Sequence, residues 1–265
     1  MMNLVVFFDI DGTIIDEPTQ TVPESAIRAI EKLKEKGHIP VVNTGRPFTH
    51  IQSAVRKIPF DGWICACGTE ILLNGEKIYD ASPDVQLCRY VIEAVRDCDG
   101  RVVYEADGGC ILTDGAFSRN HPLCERKVRV MTGQGFAQQE VDALEEPRFI
   151  KFMFYQWDGY DKEEFARRMA GKFECIDRGR NRLEIIREGC SKSRGMYILM
   201  EHLGLTMEDT LAIGDSTNDL PMFEVAAHTV CMGEGMEEAK AAAEYVTDSV
   251  LGDGVEKALR HFGLI

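Results

Sequence analysis

Five apolar residues, Leu4-Val5-Val6-Phe7-Phe8, run without polar interruption into Asp9-Ile10-Asp11-Gly12-Thr13. A strand with no polar alternation has no face to offer water, so it suits burial on both faces of a parallel sheet clad with helices. Such sheets do their chemistry at the carboxyl ends of their strands. Two carboxylates two residues apart in extended chain point the same way, so Asp9 and Asp11 are expected to act together there. Gly12 removes the side chain that would stop the backbone turning around a bound ion or phosphate. An ordinary strand-end turn would use the same residue types. An EF-hand would not, because counting from Asp9 puts Ile14 where that loop needs glycine and Gln20 where it needs a bidentate glutamate.

The rest of the first eighty residues continues a strand and helix alternation. Pro23 opens a helical pattern with Ala26, Ile27, Ile30 and Leu33 on one face, and Gly37 closes it. A second strand, Ile39 to Val42, ends at Asn43-Thr44-Gly45-Arg46-Pro47, and the pattern predicts a helix from about Phe48 to Lys57. Asp61 to Gly68 reads as a third strand meeting a turn, and Asn74-Gly75 joins two strands as a hairpin. Near Pro83 the rhythm changes to helices mixed with hairpins, which predicts an antiparallel sheet covered on one face. The parallel pattern returns with a helix over Ser193 to Leu203, the strand Thr210 to Ile213 and the turn Gly214-Asp215-Ser216-Thr217-Asn218-Asp219. The expected organisation is α/β: a parallel core from residues 1–83 and 188–265, with residues 84–187 inserted as a second domain.

Composition narrows the partners. A formal charge of −14 argues against nucleic acid and anionic membranes, so an anionic substrate must be met by local cations. Met1-Met2-Asn3 begins no leader pattern and no run of about 18 apolar residues occurs, so a cytoplasmic protein is expected. Nine scattered cysteines fit reduced thiols, and Cys65-Ala66-Cys67 lacks zinc spacing. Oligomeric state is not readable.

Four polar stations fall at strand ends or helix starts of the parallel core: Asp9 with Asp11, Thr44, Lys192, and Asp215 with Asn218 and Asp219. Together they suggest phosphoryl transfer. Asp9 and Asp215 are hard oxygen ligands of the kind Mg²⁺ takes, while Thr44 and Lys192 supply a donor and a positive charge for phosphate. Lys192 belongs to no P-loop, since Ser191 stands where that motif demands glycine.

In order and spacing these segments resemble the four motifs of the haloacid dehalogenase-like hydrolases, and within them the Cof-like type IIB phosphatases, over nearly the whole chain. The resemblance implies a Rossmann-like core with an α/β cap inserted between the second and third motifs. It implies that Asp9 is the nucleophile and becomes an aspartyl phosphate, and that Asp11 protonates the leaving group and then activates water. It further implies Mg²⁺ held by Asp9, the Asp11 carbonyl and Asp215; phosphate held by Thr44, the Gly45 amide, Lys192 and Asn218; and Asp219 orienting Lys192. Arg46 would support the site by reaching the substrate or cap, or would serve only an ion pair. The sequence departs from the family pattern at Cys67-Gly68, where Asn-Gly is usual, and at Met232-Gly233-Glu234-Gly235. The expected activity is hydrolysis of small phosphomonoesters such as sugar phosphates. The alternatives are a phosphosugar mutase of the same fold and a metabolite-binding regulator without catalysis.

Overall fold

The structure, a computed structural model, describes residues 3–115 and 121–265, so Met1 and Met2, where the leader pattern was sought, lie outside the described residues. The chain divides into two compact units: residues 1–46, 51–80 and 191–265 form the first, and residues 47–50 and 81–190 the second.

The first unit is built on an eight-stranded sheet in the order β14-β13-β12-β1-β2-β3-β4-β5. Its strands are β1 (Val5–Phe8), β2 (Ile39–Asn43), β3 (Gly62–Cys65), β4 (Glu70–Leu73), β5 (Glu76–Asp80), β12 (Thr210–Gly214), β13 (His228–Cys231) and β14 (Tyr245–Val246). Pairing is parallel from β14 through β3 and antiparallel for β4 and β5. The uninterrupted apolar run occupies the centre: all four β1 residues have no exposure, and β1 pairs with β12 on one side and β2 on the other. Because the chain leaves β1 for β2 in one direction and fills β12 in the other, a crevice opens at the β1 carboxyl end. The hairpin turn follows from its residues: Asn74 and Gly75 both have positive φ, as a tight turn of the primed type requires.

Helix α1 (Glu24–Glu35) buries Ala26, Ile30 and Leu33 of the face its sequence marked, leaves Ile27 half-buried and buries Ala29 beside them. The helix expected from Phe48 to Lys57 is not continuous. A single 3-10 turn, Phe48–His50, is separated from the short α2 (Ser53–Arg56) by Gln52, whose ψ of 145° is extended. The turn belongs to the second unit, where buried His50 bonds the carbonyls of Ala106 and Cys110 through Nε2, so tertiary contact overrides the local pattern.

The second unit carries a six-stranded sheet in the order β10-β11-β9-β6-β7-β8, from β6 (Val102–Ala106), β7 (Cys110–Thr113), β8 (Ala137–Glu140), β9 (Lys151–Tyr155), β10 (Phe173–Asp177) and β11 (Arg182–Arg187). Pairing is antiparallel except between β7 and β8, which run parallel. Helices α3 (Val85–Asp97) and α5 (Lys162–Met169) pack on one face against Tyr104, Phe152, Phe154 and Ile185. The expectation of a sheet covered on one face needs correction, because α4 (Pro122–Gly133) packs Cys124 and Met131 against Val103, Ile111 and Tyr155 on the other. That second face also buries an ion chain, in which Lys151 pairs with both Glu184 and Glu105, while Lys127 and Arg178 cover the outer ends.

Among the described residues no helix is long and apolar enough to cross a membrane.

Candidate active site

The crevice at the β1 end gathers side chains from three parts of the first unit. Asp9 follows β1 directly, its amide donating to the Ile213 carbonyl at 2.9 Å, so its position is set by the neighbouring strand β12. Asp215 leaves the end of β12. Lys192 is the first residue of α6 (Lys192–Leu203), capped by the Ser191 hydroxyl, which accepts from the Arg194 amide at 3.0 Å. Asn43, at the end of β2, donates through Nδ2 to the Lys192 carbonyl at 3.1 Å and ties that helix start to the sheet. No role was foreseen for Asn43, since its partner lies 149 residues away.

The Lys192 ammonium, 2% exposed, donates to Asp9 Oδ1 and Asp219 Oδ1 at 2.6 Å each and to Asn218 Oδ1 at 3.4 Å. Its three protons therefore have three acceptors. Burial opposes the charge, yet Asp219 and Asp9 hold its pKa above the ordinary lysine value. Asp219 is fully committed: its second oxygen accepts from the amides of Asp215 and Ser216 at 2.8 and 3.0 Å, inside a capping box.

Asp215 is different. Its Oδ1 is buried with no hydrogen-bond partner among the described residues, although buried polar atoms are nearly always satisfied. Oxygens of Asp9, Asp215 and Asp219 all lie within 4.8 Å of one another. Three carboxylates facing one buried ammonium leave the cluster short of positive charge. Burial, with Asp219 and Asp11 adding, raises Asp9 to about 7 against the pull of Lys192. Burial, with Asp9 and Asp219 adding, raises Asp215 to about 8. Such a cluster takes up either protons or a cation, and the donor set is all hard oxygen, which fits a divalent metal. The backbone passes close to the cluster: Gly12 turns at φ +77°, and a Cβ there would overlap the Asp215 carboxylate.

Asp11 does not join this cluster through its side chain. The strand has ended by Asp9, and the Asp11 carboxylate instead takes a two-pronged ion pair from Arg46. Thr44 is buried at the end of β2, its hydroxyl accepting from the Arg46 amide at 3.2 Å, with half-buried Gly45 between them. Helix α6 is pressed against β3 at Gly195, where a Cβ would overlap Ile64. Cys67, where the family pattern has asparagine, stands at φ 55° and donates its amide to the Thr44 carbonyl at 3.0 Å.

The sequence matches the family described as haloacid dehalogenase-like hydrolase over residues 6–259. The chain belongs to that family. The likeness to its Cof-like type IIB phosphatases, read from four motifs, holds, and the enzyme is a phosphoric monoester hydrolase. It is 25% identical to the 5-amino-6-(5-phospho-D-ribitylamino)uracil phosphatase YcsE of Bacillus subtilis (strain 168), over 98% of this chain and 96% of that one. It is 25% identical to the pyridoxal phosphate phosphatase YbhA of Escherichia coli (strain K12), over 99% of this chain and 98% of the relative. Among solved structures, BT1666 of Bacteroides thetaiotaomicron, described with phosphatases of the haloalkanoate superfamily, superposes with a TM-score of 0.83 at 26% identity, covering 100% of this chain and 96% of that chain.

Proposed function

We propose that this hydrolase is a magnesium-dependent phosphatase of small phosphorylated metabolites, sugar phosphates or similar monoesters, acting in the cytoplasm through an aspartyl phosphate on Asp9. The observation that carries the reading is the buried Asp215 Oδ1, without a hydrogen-bond partner among the described residues, beside Asp9 in a cluster short of positive charge. The carboxylates of Asp9 and Asp215 and the backbone carbonyl of Asp11 would hold the metal. Bound there, magnesium would offset the negative charge that otherwise repels an anionic phosphate from Asp9.

The remaining work falls to the chain. Lys192, held by Asp219, would bind the phosphate with the Thr44 hydroxyl, the Gly45 amide and Asn218. An Asp9 oxygen would attack phosphorus as the bond to the leaving oxygen breaks, and Asp11 would give that oxygen its proton. Water would then attack the phosphoenzyme, losing a proton to Asp11 as the Asp9 carboxylate is released. Residues 84–187 would form a cap whose side chains select the leaving group.

Phosphate release across a panel of phosphorylated metabolites, with magnesium and with excess chelator, tests the reading. Full turnover in chelator would sink it, and isomerisation without free phosphate would point to the mutase instead. The cap is tested by solution scattering with magnesium and orthovanadate: the radius of gyration is expected to fall, and an unchanged radius with vanadate bound counts against closure.

A further inference from the structure

Arg46 is held more firmly than a surface arginine needs to be. Its Nε donates to Asp11 Oδ2 at 2.7 Å and its Nη2 to Asp11 Oδ1 at 2.5 Å. Its Nη1 donates to Gln52 Oε1 at 3.2 Å, and Gln52 in turn donates to Gln20 Oε1 at 2.8 Å. The backbone is bracketed as well: the Arg46 amide donates to the Thr44 hydroxyl, and its carbonyl accepts from the Ala66 amide at 2.8 Å. Arg46 is 21% exposed and Asp11 31%, so the pair is neither free in water nor sealed from it. An exposed ion pair adds little to stability. A planar fork on a carboxylate, by contrast, fixes the plane and direction of both oxygens.

We infer that Arg46 is a positioning residue for Asp11, and that it favours the second half of the reaction over the first; this rests on the proposed roles of Asp9 and Asp11. In the second half, a water oxygen bonds to phosphorus and the P–O bond to Asp9 breaks, its electron pair returning to the Asp9 carboxylate. The water proton passes to one Asp11 oxygen, which gives up its bond to Arg46, while the other oxygen stays on the guanidinium. The same proton then serves the next leaving group, and the full fork re-forms once it has gone. Both oxygens are held by Arg46 only when Asp11 is an unprotonated carboxylate, which is the form that accepts the proton of water.

The test is rapid-quench hydrolysis of p-nitrophenyl phosphate with magnesium by the wild type, Arg46→Ala and Arg46→Lys. This substrate has a good leaving group, so its first step needs little proton donation. In Arg46→Ala the burst of p-nitrophenol is expected to persist while steady turnover falls roughly 10- to 100-fold, part of the ~10²–10⁴ that acid–base catalysis contributes. Millimolar guanidinium should restore part of that turnover in Arg46→Ala and none in Arg46→Lys, which keeps the charge but lacks the fork. Equal slowing of both phases, no slowing, or loss that guanidinium leaves untouched would overturn the role of Arg46. Labelled phosphate trapped on wild-type Asp9 separates the two readings: without it the mechanism fails and the inference with it, whereas with it only the Arg46 outcomes decide.

Discussion

Replacing Lys192 with methionine would leave Asp9 and Asp219 buried and without the ammonium they share. Loss of one partner from a buried ion pair costs about 3–5 kcal/mol, so Lys192→Met should lose about that much stability to denaturant at neutral pH, and less in acid, where the carboxyls can protonate. A loss unchanged by pH would contradict this. The raised carboxyls give a second prediction. Asp9 at about 7 and Asp215 at about 8 stand above the ordinary 3.8, so the stability they confer is whole below that value and disappears as pH rises through 7 and 8. In excess chelator the melting temperature should therefore fall across that window. Magnesium, taking the place of the protons, should flatten the fall, and identical slopes with and without it would refute the account. At this scale residue type and order made the gathering of Asp9, Lys192, Asp215, Asn218 and Asp219 legible, because polar side chains at the strand ends and helix start of one parallel sheet converge on one edge. The pairing of Arg46 with Asp11 and the tie from Asn43 to Lys192 were not legible, since each partner is chosen by tertiary geometry.

Helix α6 carries Lys192 at its first turn, so where the helix packs decides where the ammonium points. A methyl group at Gly195 would meet Ile64 on β3 and push the helix outward. Overpacking of this kind costs about 1–3 kcal/mol. Gly195→Ala should lower the melting temperature and also cut turnover, although it touches no substrate; the smaller variant Ile64→Val should recover part of both. Failure of Ile64→Val to recover either would place the fault elsewhere. Apolar periodicity and turn residues predicted β1, α1, the Asn74-Gly75 hairpin and α6. The interrupted 48–57 segment defeated the same reasoning, because His50 is drawn to carbonyls of the second unit. Helix α4 was missed because Arg126, Lys127 and Arg129 crowd its sequence, although Pro122 at its first turn and Cys124, Val128 and Met131 at helical spacing marked it.

Two units with separate cores and one tryptophan each, Trp63 and Trp157, give the whole molecule two independent reporters. Lys151 sits between Glu105 and Glu184, and after Lys151→Met each carboxylate would keep one cation, Lys127 or Arg178. The cost should fall at the low end of the range for a broken buried pair, about 3 kcal/mol. Followed in Trp63→Phe and Trp157→Phe backgrounds, the Trp157 transition should move to lower denaturant while the Trp63 transition stays; movement of both together would mean that the units unfold as one. At this scale the switch of pattern near Pro83 and its reversal near Gly189 were visible, but the parallel β7–β8 pairing was not, since register carries no local signal. The position of β1 between β2 and β12 has one more consequence, for synthesis on the ribosome. Val5 to Phe8 emerge ahead of both strands that flank them, and one of the two is not translated until residue 210. Residues 81–190 complete their own unit in the interval, while one edge of the most apolar strand waits open. On the proposed mechanism phosphatase activity is therefore born late, when the residues beyond 190 bring Lys192 and Asp215 to Asp9, and a nascent chain cut short of them would expose a sticky edge without a working catalyst.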